Sequence, residues 1–110
     1  MAIYSNLNID QGTSFNVQVT LEGGDGGSFD LTGYSVSAQI RRTYASLTSV
    51  SFDASIENAA SGIISLSLSS TTTNAMKAGR YVYDVEVVSP GGAVSRVLEG
   101  QVEIFAGVTR

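Results

Sequence analysis

The chain has 110 residues and a formal net charge of −4, from 6 basic and 10 acidic side chains, and it contains neither cysteine nor histidine. Disulfide staples, thiolate zinc sites and thiol or histidine-assisted nucleophilic catalysis are thereby excluded. A chain of this length is expected to form one domain over residues 1–110 that buries enough surface to fold without a metal or a cross-link. Its mild acidity, with no clustered basic stretch, argues against nucleic acid as a partner. No apolar run reaches the roughly 18 residues of a membrane span, and Met1 to Asp10 lacks the basic start and apolar centre of a secretory signal. No membrane association is therefore expected.

Met1 to Ile9 is a short mixed segment whose apolar members are Ile3, Tyr4, Leu7 and Ile9. It reads as an edge strand, closed by a turn at Asp10-Gln11-Gly12. Phe15, Val17, Val19 and Leu21 alternate with polar residues and make a second strand, since side chains on a strand point alternately to its two faces. Gly23-Gly24-Asp25-Gly26-Gly27 reads as a hairpin tip rather than a phosphate cradle, because neither a Lys-Ser/Thr pair nor a helical pattern follows it. Tyr34, Val36, Ala38 and Ile40 form the apolar face of a third strand, opposite Ser35, Ser37, Gln39 and Arg41. Val50, Phe52, Ala54 and Ile56 mark a fourth strand. Ile64, Leu66 and Leu68 mark a fifth, after a turn at Asn58 to Gly62.

The alternation then stops. Ser70 to Lys77 is expected to form one short helical turn crossing between two sheets, with Ser70 capping its start and Gly79 closing its end in the left-handed region. Tyr81, Tyr83, Val85 and Val87 give the clearest half-buried strand of the chain, with Val82, Asp84 and Glu86 on the other face. Ser89-Pro90-Gly91-Gly92 is a hairpin turn. Val94 to Phe105 is a last long strand, in which Gly100 signals a bulge or a close backbone approach.

Seven strands with one short helical turn before the sixth point to an all-β, immunoglobulin-like antiparallel β-sandwich, with a small barrel as the alternative. Tyr81, next to the Gly79 corner, suits a tyrosine that folds its hydroxyl back onto the preceding backbone, with its ring buried. Tyr83 is expected to reach water at the sandwich edge.

The chemistry-bearing residues are few. Asp84 and Glu86 read as a solvated strand face, and Asp25 with Asp30 matches no calcium-loop spacing. Neither catalytic nor metal-binding residues nor a cofactor are expected. Arg41 and Arg42 end the third strand and are expected to pair with Asp84 or Glu86 on a facing strand, or else to meet an acidic partner. Tyr44, in a polar connection, is the aromatic best placed to contact a ligand. Possible partner contacts are therefore Arg41, Arg42 and Tyr44.

The run from Phe29 to Arg41, Phe-Asp-Leu-Thr-Gly-Tyr-Ser-Val-Ser-Ala-Gln-Ile-Arg, resembles a segment of small tailed-bacteriophage virion proteins. Leu66 to Ser69 followed by Ala75 to Glu86 resembles a second signature of that group, and Ile9 to Phe15 and Val94 to Gly100 fit its opening and close. The chain is similar to the N-terminal domain of phage baseplate upper proteins and to short stand-alone structural proteins of phages infecting cyanobacteria and other marine bacteria. The resemblance implies an immunoglobulin-like domain without catalysis, located in the virion and docked onto other virion proteins in many symmetric copies. In baseplate upper proteins such a domain anchors a longer receptor-binding arm. This chain stops at Arg110, so tail, baseplate, neck and capsid surface all stay open as its position. A carbohydrate-binding module using loop aromatics, Tyr44 foremost, is the alternative; an enzyme ranks last.

Overall fold

A computed structural model describes residues 3–21 and 29–108. The glycine-rich tip at 23–27 lies outside the described residues. In chain order the elements are β1 (Ile3–Tyr4), β2 (Leu7–Asp10), β3 (Phe15–Thr20), β4 (Ser35–Arg41), β5 (Val50–Ser51), β6 (Asp53–Asn58), β7 (Ile63–Leu68), α1 (Ser70–Ala75), β8 (Gly79–Val88) and β9 (Val94–Phe105). They form two layers. A six-stranded sheet runs β1-β9-β8-β4-β5 with β2 also on β9, and a three-stranded sheet runs β3-β7-β6.

The apolar alternation places these layers face to face. Ile40, Tyr83, Val85, Val87, Leu98, Val102 and Ile104 point inward from the large sheet, and Ile64, Leu66 and Leu68 from the small one. Removing such side chains from water is the main driving force for the sandwich. Ile9 and Leu31, both essentially inaccessible, belong to the same core.

Two of the seven expected strands are each broken in two, for different reasons. The fourth is cut at Phe52, where the chain leaves the large sheet as β5 and enters the small one as β6. Its alternation continues across the break, so the Phe52 ring lies between the layers, 6.3 Å from Phe15 and 6.1 Å from Tyr83. The first strand is cut at Ser5-Asn6. Its halves lie on β9 in parallel, Ile3 opposite Leu98 and Leu7 opposite Val102, a departure from a purely antiparallel sandwich. Parallel pairing needs a long connection rather than a tight turn, and almost the whole domain lies between these partners.

Gly100 sits at the Ser5 break. A Cβ on Gly100 would overlap the Ser5 carbonyl oxygen, so the close approach expected there is real. The bulge is three residues earlier. Val85 pairs with Leu98 but Glu86 pairs with Arg96, leaving Val97 as the extra residue. As a result both Val97 and Leu98 face the core in succession.

The helix carries the chain from the small sheet to the large one, as expected, but its ends differ. Ser69, not Ser70, is the N-cap; its Oγ accepts from the Thr72 N–H at 3.2 Å. Gly79 does not close the helix. Met76 ends it in an extended conformation, because its side chain enters the core and its carbonyl accepts from the Gln11 side-chain amide at 2.8 Å. Thr73 is fully buried, and its hydroxyl donates to Thr13 O at 2.7 Å, fastening the helix to the turn before β3.

Candidate functional site

The outward face of the large sheet carries the most polar chemistry. In the register of β4, β8 and β9, Gln39 lies opposite Asp84 and Asp84 opposite Glu99, while Ser37, Glu86 and Arg96 form the adjacent row. Over this face the 42–49 connection folds back to make an open groove of about 290 Å³, lined by Gln39, Arg41, Tyr44, Val82, Asp84, Glu86 and Arg96.

Arg41 builds the groove wall. One guanidinium nitrogen donates to Ser46 O at 2.7 Å, and another donates to the Gln39 side-chain oxygen at 3.1 Å. The Thr43 N–H donates to Ser46 Oγ at 3.0 Å. These bonds hold the connection in one shape, so Tyr44 is presented with 78% of its surface exposed and Leu47 with 99%. Held by a hydrogen-bonded guanidinium, the backbone that carries Tyr44 and Leu47 is already ordered before any partner arrives, which lowers the entropic cost of binding.

The expected pairing of Arg41 or Arg42 with Asp84 or Glu86 does not occur. Asp84 instead takes Arg96 of the neighbouring strand, with Nε to Oδ2 at 3.1 Å. Arg41 has its donors committed to backbone carbonyls of its own connection and to the Gln39 side chain. Arg42 leaves the groove altogether and lies over the Tyr81 ring, 4.8 Å from its centroid. A glycine stands at 79 because its φ is +136°, a conformation that side-chain-bearing residues rarely adopt; the Arg42 guanidinium lies beside it. Of the three residues expected as contacts, Arg41 and Tyr44 are therefore brought together and Arg42 is not. Sequence reasoning passed over Gln39 and Arg96. Arg96 was findable, since the Ser89–Gly92 turn sets Val88 opposite Val94 and so Glu86 opposite Arg96.

The remaining candidates have structural partners. The Asp30 carboxylate accepts from the Thr32 hydroxyl at 2.6 Å and from the Thr32 N–H at 3.0 Å, and both bonds lower its pKa from the usual value. Asp25 lies outside the described residues. The Tyr81 hydroxyl donates to Lys77 O at 2.7 Å, the corner bond expected from its place, although its ring is only half-buried. Tyr83 does not reach water: it is 3% exposed and donates to Ser5 O at 2.6 Å. Among the described residues no group of three or more acidic side chains stands together where a metal could be held.

No protein-family model matches the chain, and no curated protein matches it. Solved structures do resemble it. The Lin-41 filamin domain superposes with a TM-score of 0.51 at 14% identity, covering 91% of this chain and 84% of that one. AggA, the major subunit of the aggregative adherence fimbriae type I of Escherichia coli, superposes with a TM-score of 0.51 at 11% identity, covering 93% of this chain and 89% of that one. At such identities the likeness speaks to fold, and the fold is an immunoglobulin-like β-sandwich.

Proposed function

We propose that the chain is a non-enzymatic structural protein of a tailed-bacteriophage virion that acts by docking onto other virion proteins. The observation that carries the docking part is the braced 42–49 connection. It displays an aromatic and an aliphatic side chain, Tyr44 and Leu47, the first of them lining a groove of mixed charge. Exposed aromatic residues beside an ordered guanidinium are the side chains that dominate protein–protein contacts. The virion part is supported by the two sequence signatures, which fall on β4 with its approach and on β7-α1-β8; β4 and β8 contribute residues to the groove. Many copies in symmetric array fit a small domain that presents a docking surface.

Mass spectrometry of purified particles tests this. The chain should be found in intact virions at more than one copy. Its absence there overturns the reading, and incorporation undiminished by Tyr44→Ser with Leu47→Ser moves the contact elsewhere on the surface.

A second reading is carbohydrate binding. It is favoured by one observation, the placing of the exposed Tyr44 ring beside the Gln39 amide, the Asp84 and Glu86 carboxylates and Arg96. An aromatic face flanked by hydrogen-bonding groups is what a sugar ring requires. A glycan array decides: strong binding of one sugar class, lost in Tyr44→Ser, selects this reading over the first.

A further inference from the structure

The two sheets have four outer edges, and the described residues treat them differently. β5 is only two residues long. The β1–β2 edge is interrupted at Ser5-Asn6 and ends on Asp10. β6 carries Asp53 and Glu57, and its pairing with β7 shifts register between Ile56 and Asn58. Shortness, charge and bulges are the devices by which edges avoid pairing with other chains. β3 has none of them. Its sequence, Phe-Asn-Val-Gln-Val-Thr, is six residues long, with no charge and no proline, and it pairs with β7 residue by residue without a shift.

The direction of its free backbone groups follows from one hydrogen bond. Leu21 N–H donates to Gly62 O at 2.8 Å, one step beyond the Thr20–Ile63 pair. Backbone groups along an antiparallel strand turn alternately to its two sides. Val19, Val17 and Phe15 therefore bond to β7, while Asn16, Gln18 and Thr20 hold their N–H and C=O groups toward the outer edge, where no described residue pairs with them. The side chains of Phe15, Val17 and Val19 pack on the core yet stay only half-buried, and those of Asn16, Gln18 and Thr20 are exposed.

We infer that the β3 edge is a self-association surface, on which a second copy of this chain adds its own β3 antiparallel about a twofold axis at Gln18. That register sets residue 16 against 20, 18 against 18 and 20 against 16, which joins the outward groups in about six new backbone hydrogen bonds. The same register continues both faces. Val17 comes beside Val19 of the second copy on the apolar face. The Gln18 amides meet across the axis on the polar face. The absence of charge makes the match specific to this edge, since β6 paired with itself would set acid beside acid. The product is a continuous six-stranded sheet with isologous symmetry. This inference is independent of the virion assignment and of the groove.

Analytical ultracentrifugation of the full chain from micromolar to millimolar concentration tests it. The expected result is a monomer–dimer equilibrium. Gln18→Lys places two like charges at the axis, and Gln18→Pro removes an outward N–H without breaking a β3–β7 bond. Each should weaken dimerisation about tenfold or more while the melting temperature of the monomer holds. Ser55→Lys on the opposite edge should leave dimerisation unchanged. In hydrogen exchange, the amides of Asn16, Gln18 and Thr20 should slow as concentration rises. A chain that stays monomeric over the whole range overturns the inference, whether or not it takes up an extended peptide of unrelated sequence. So does a dimer that survives Gln18→Lys, or whose concentration-dependent protection falls outside β3.

Discussion

The Tyr83 hydroxyl donates to the Ser5 carbonyl at 2.6 Å, joining the middle of β8 to the break between β1 and β2. Gly100 makes this possible. It lies opposite Tyr83 in the register, and with no side chain of its own it lets the Ser5 backbone come close to β9. Ser5 N–H donates to Glu99 O at 2.8 Å, and the Asn6 side-chain oxygen accepts from the Gln101 N–H at 3.0 Å, so the break is held on both sides of Gly100.

Tyr83→Phe should destabilise by about 1–2 kcal/mol, because it removes a part-buried hydrogen bond to the Ser5 carbonyl. Tyr81→Phe should cost less, within about 0.5–1 kcal/mol, since its bond to Lys77 O is exposed and water can replace the hydroxyl. Urea melts of the two variants check the order. It is the reverse of what alternation and the Gly79 corner suggest, and a larger loss at Tyr81 would mean that the Ser5 bond is not made in solution.

The alkaline limb of stability should carry the same tyrosine. Burial pushes the Tyr83 pKa up from 10.0 to about 12, against the smaller opposing effect of its bond to Ser5. A folded-state pKa above the unfolded one favours folding fully below the unfolded value, and that contribution is lost as pH rises through the folded value. Stability should therefore fall between about pH 10 and pH 12. Melts at pH 8 and pH 11 should show a smaller difference for Tyr83→Phe than for the parent chain. An equal difference would place the alkaline loss on other groups.

Gly100→Ala should be severe for a change of one methyl group, at about 3 kcal/mol or more, because the new Cβ would strike the Ser5 carbonyl. Relief requires β1 and β2 to leave the edge of β9. Hydrogen exchange would register this as lost protection at the Ser5 and Gln101 amides. A melt within about 0.5 kcal/mol of the parent would mean that the edge moves freely.

Leu66→Ala and Val85→Ala should each cost roughly 2 to 4 kcal/mol, since both side chains are essentially inaccessible in the shared core. Ser67→Ala and Glu86→Ala, on the outer faces, should stay within about 0.5 kcal/mol. Asp84→Asn should do likewise, because an exposed ion pair contributes little. The reverse ordering would put the register off by one residue.

Period-two alternation made most of the sandwich legible: the faces of β3, β4, β7 and β8 follow it residue for residue. It also held through Phe52, but alternation cannot tell a strand that continues from one that changes sheets, because both keep the same side chains inward. The Val97 bulge was hidden by the same limit: two adjacent apolar residues read equally well as one strand with an extra apolar position. The groove was half legible. Tyr44 stands out as an aromatic in a polar connection. The bracing by Arg41 depends on backbone carbonyls at Ser46 and Thr48, which carry no sequence signal. The fate of Arg42 depends on Gly79, a residue whose local sequence speaks equally well for a helix end.

The parallel seating of β1 and β2 on β9 also governs the order of events in folding. The partner strands stand at opposite ends of the domain, Ile3 beside Leu98 and Asp10 beside Phe105. During synthesis the first strand has no seat until the last has emerged, so the nascent domain holds Ile9 and Leu7 exposed while every other strand is made. Contacts of such long sequence separation slow folding toward the millisecond-to-second range seen for β-sandwiches. The last step of folding should be the closure of this seam, and the first step of unfolding its opening.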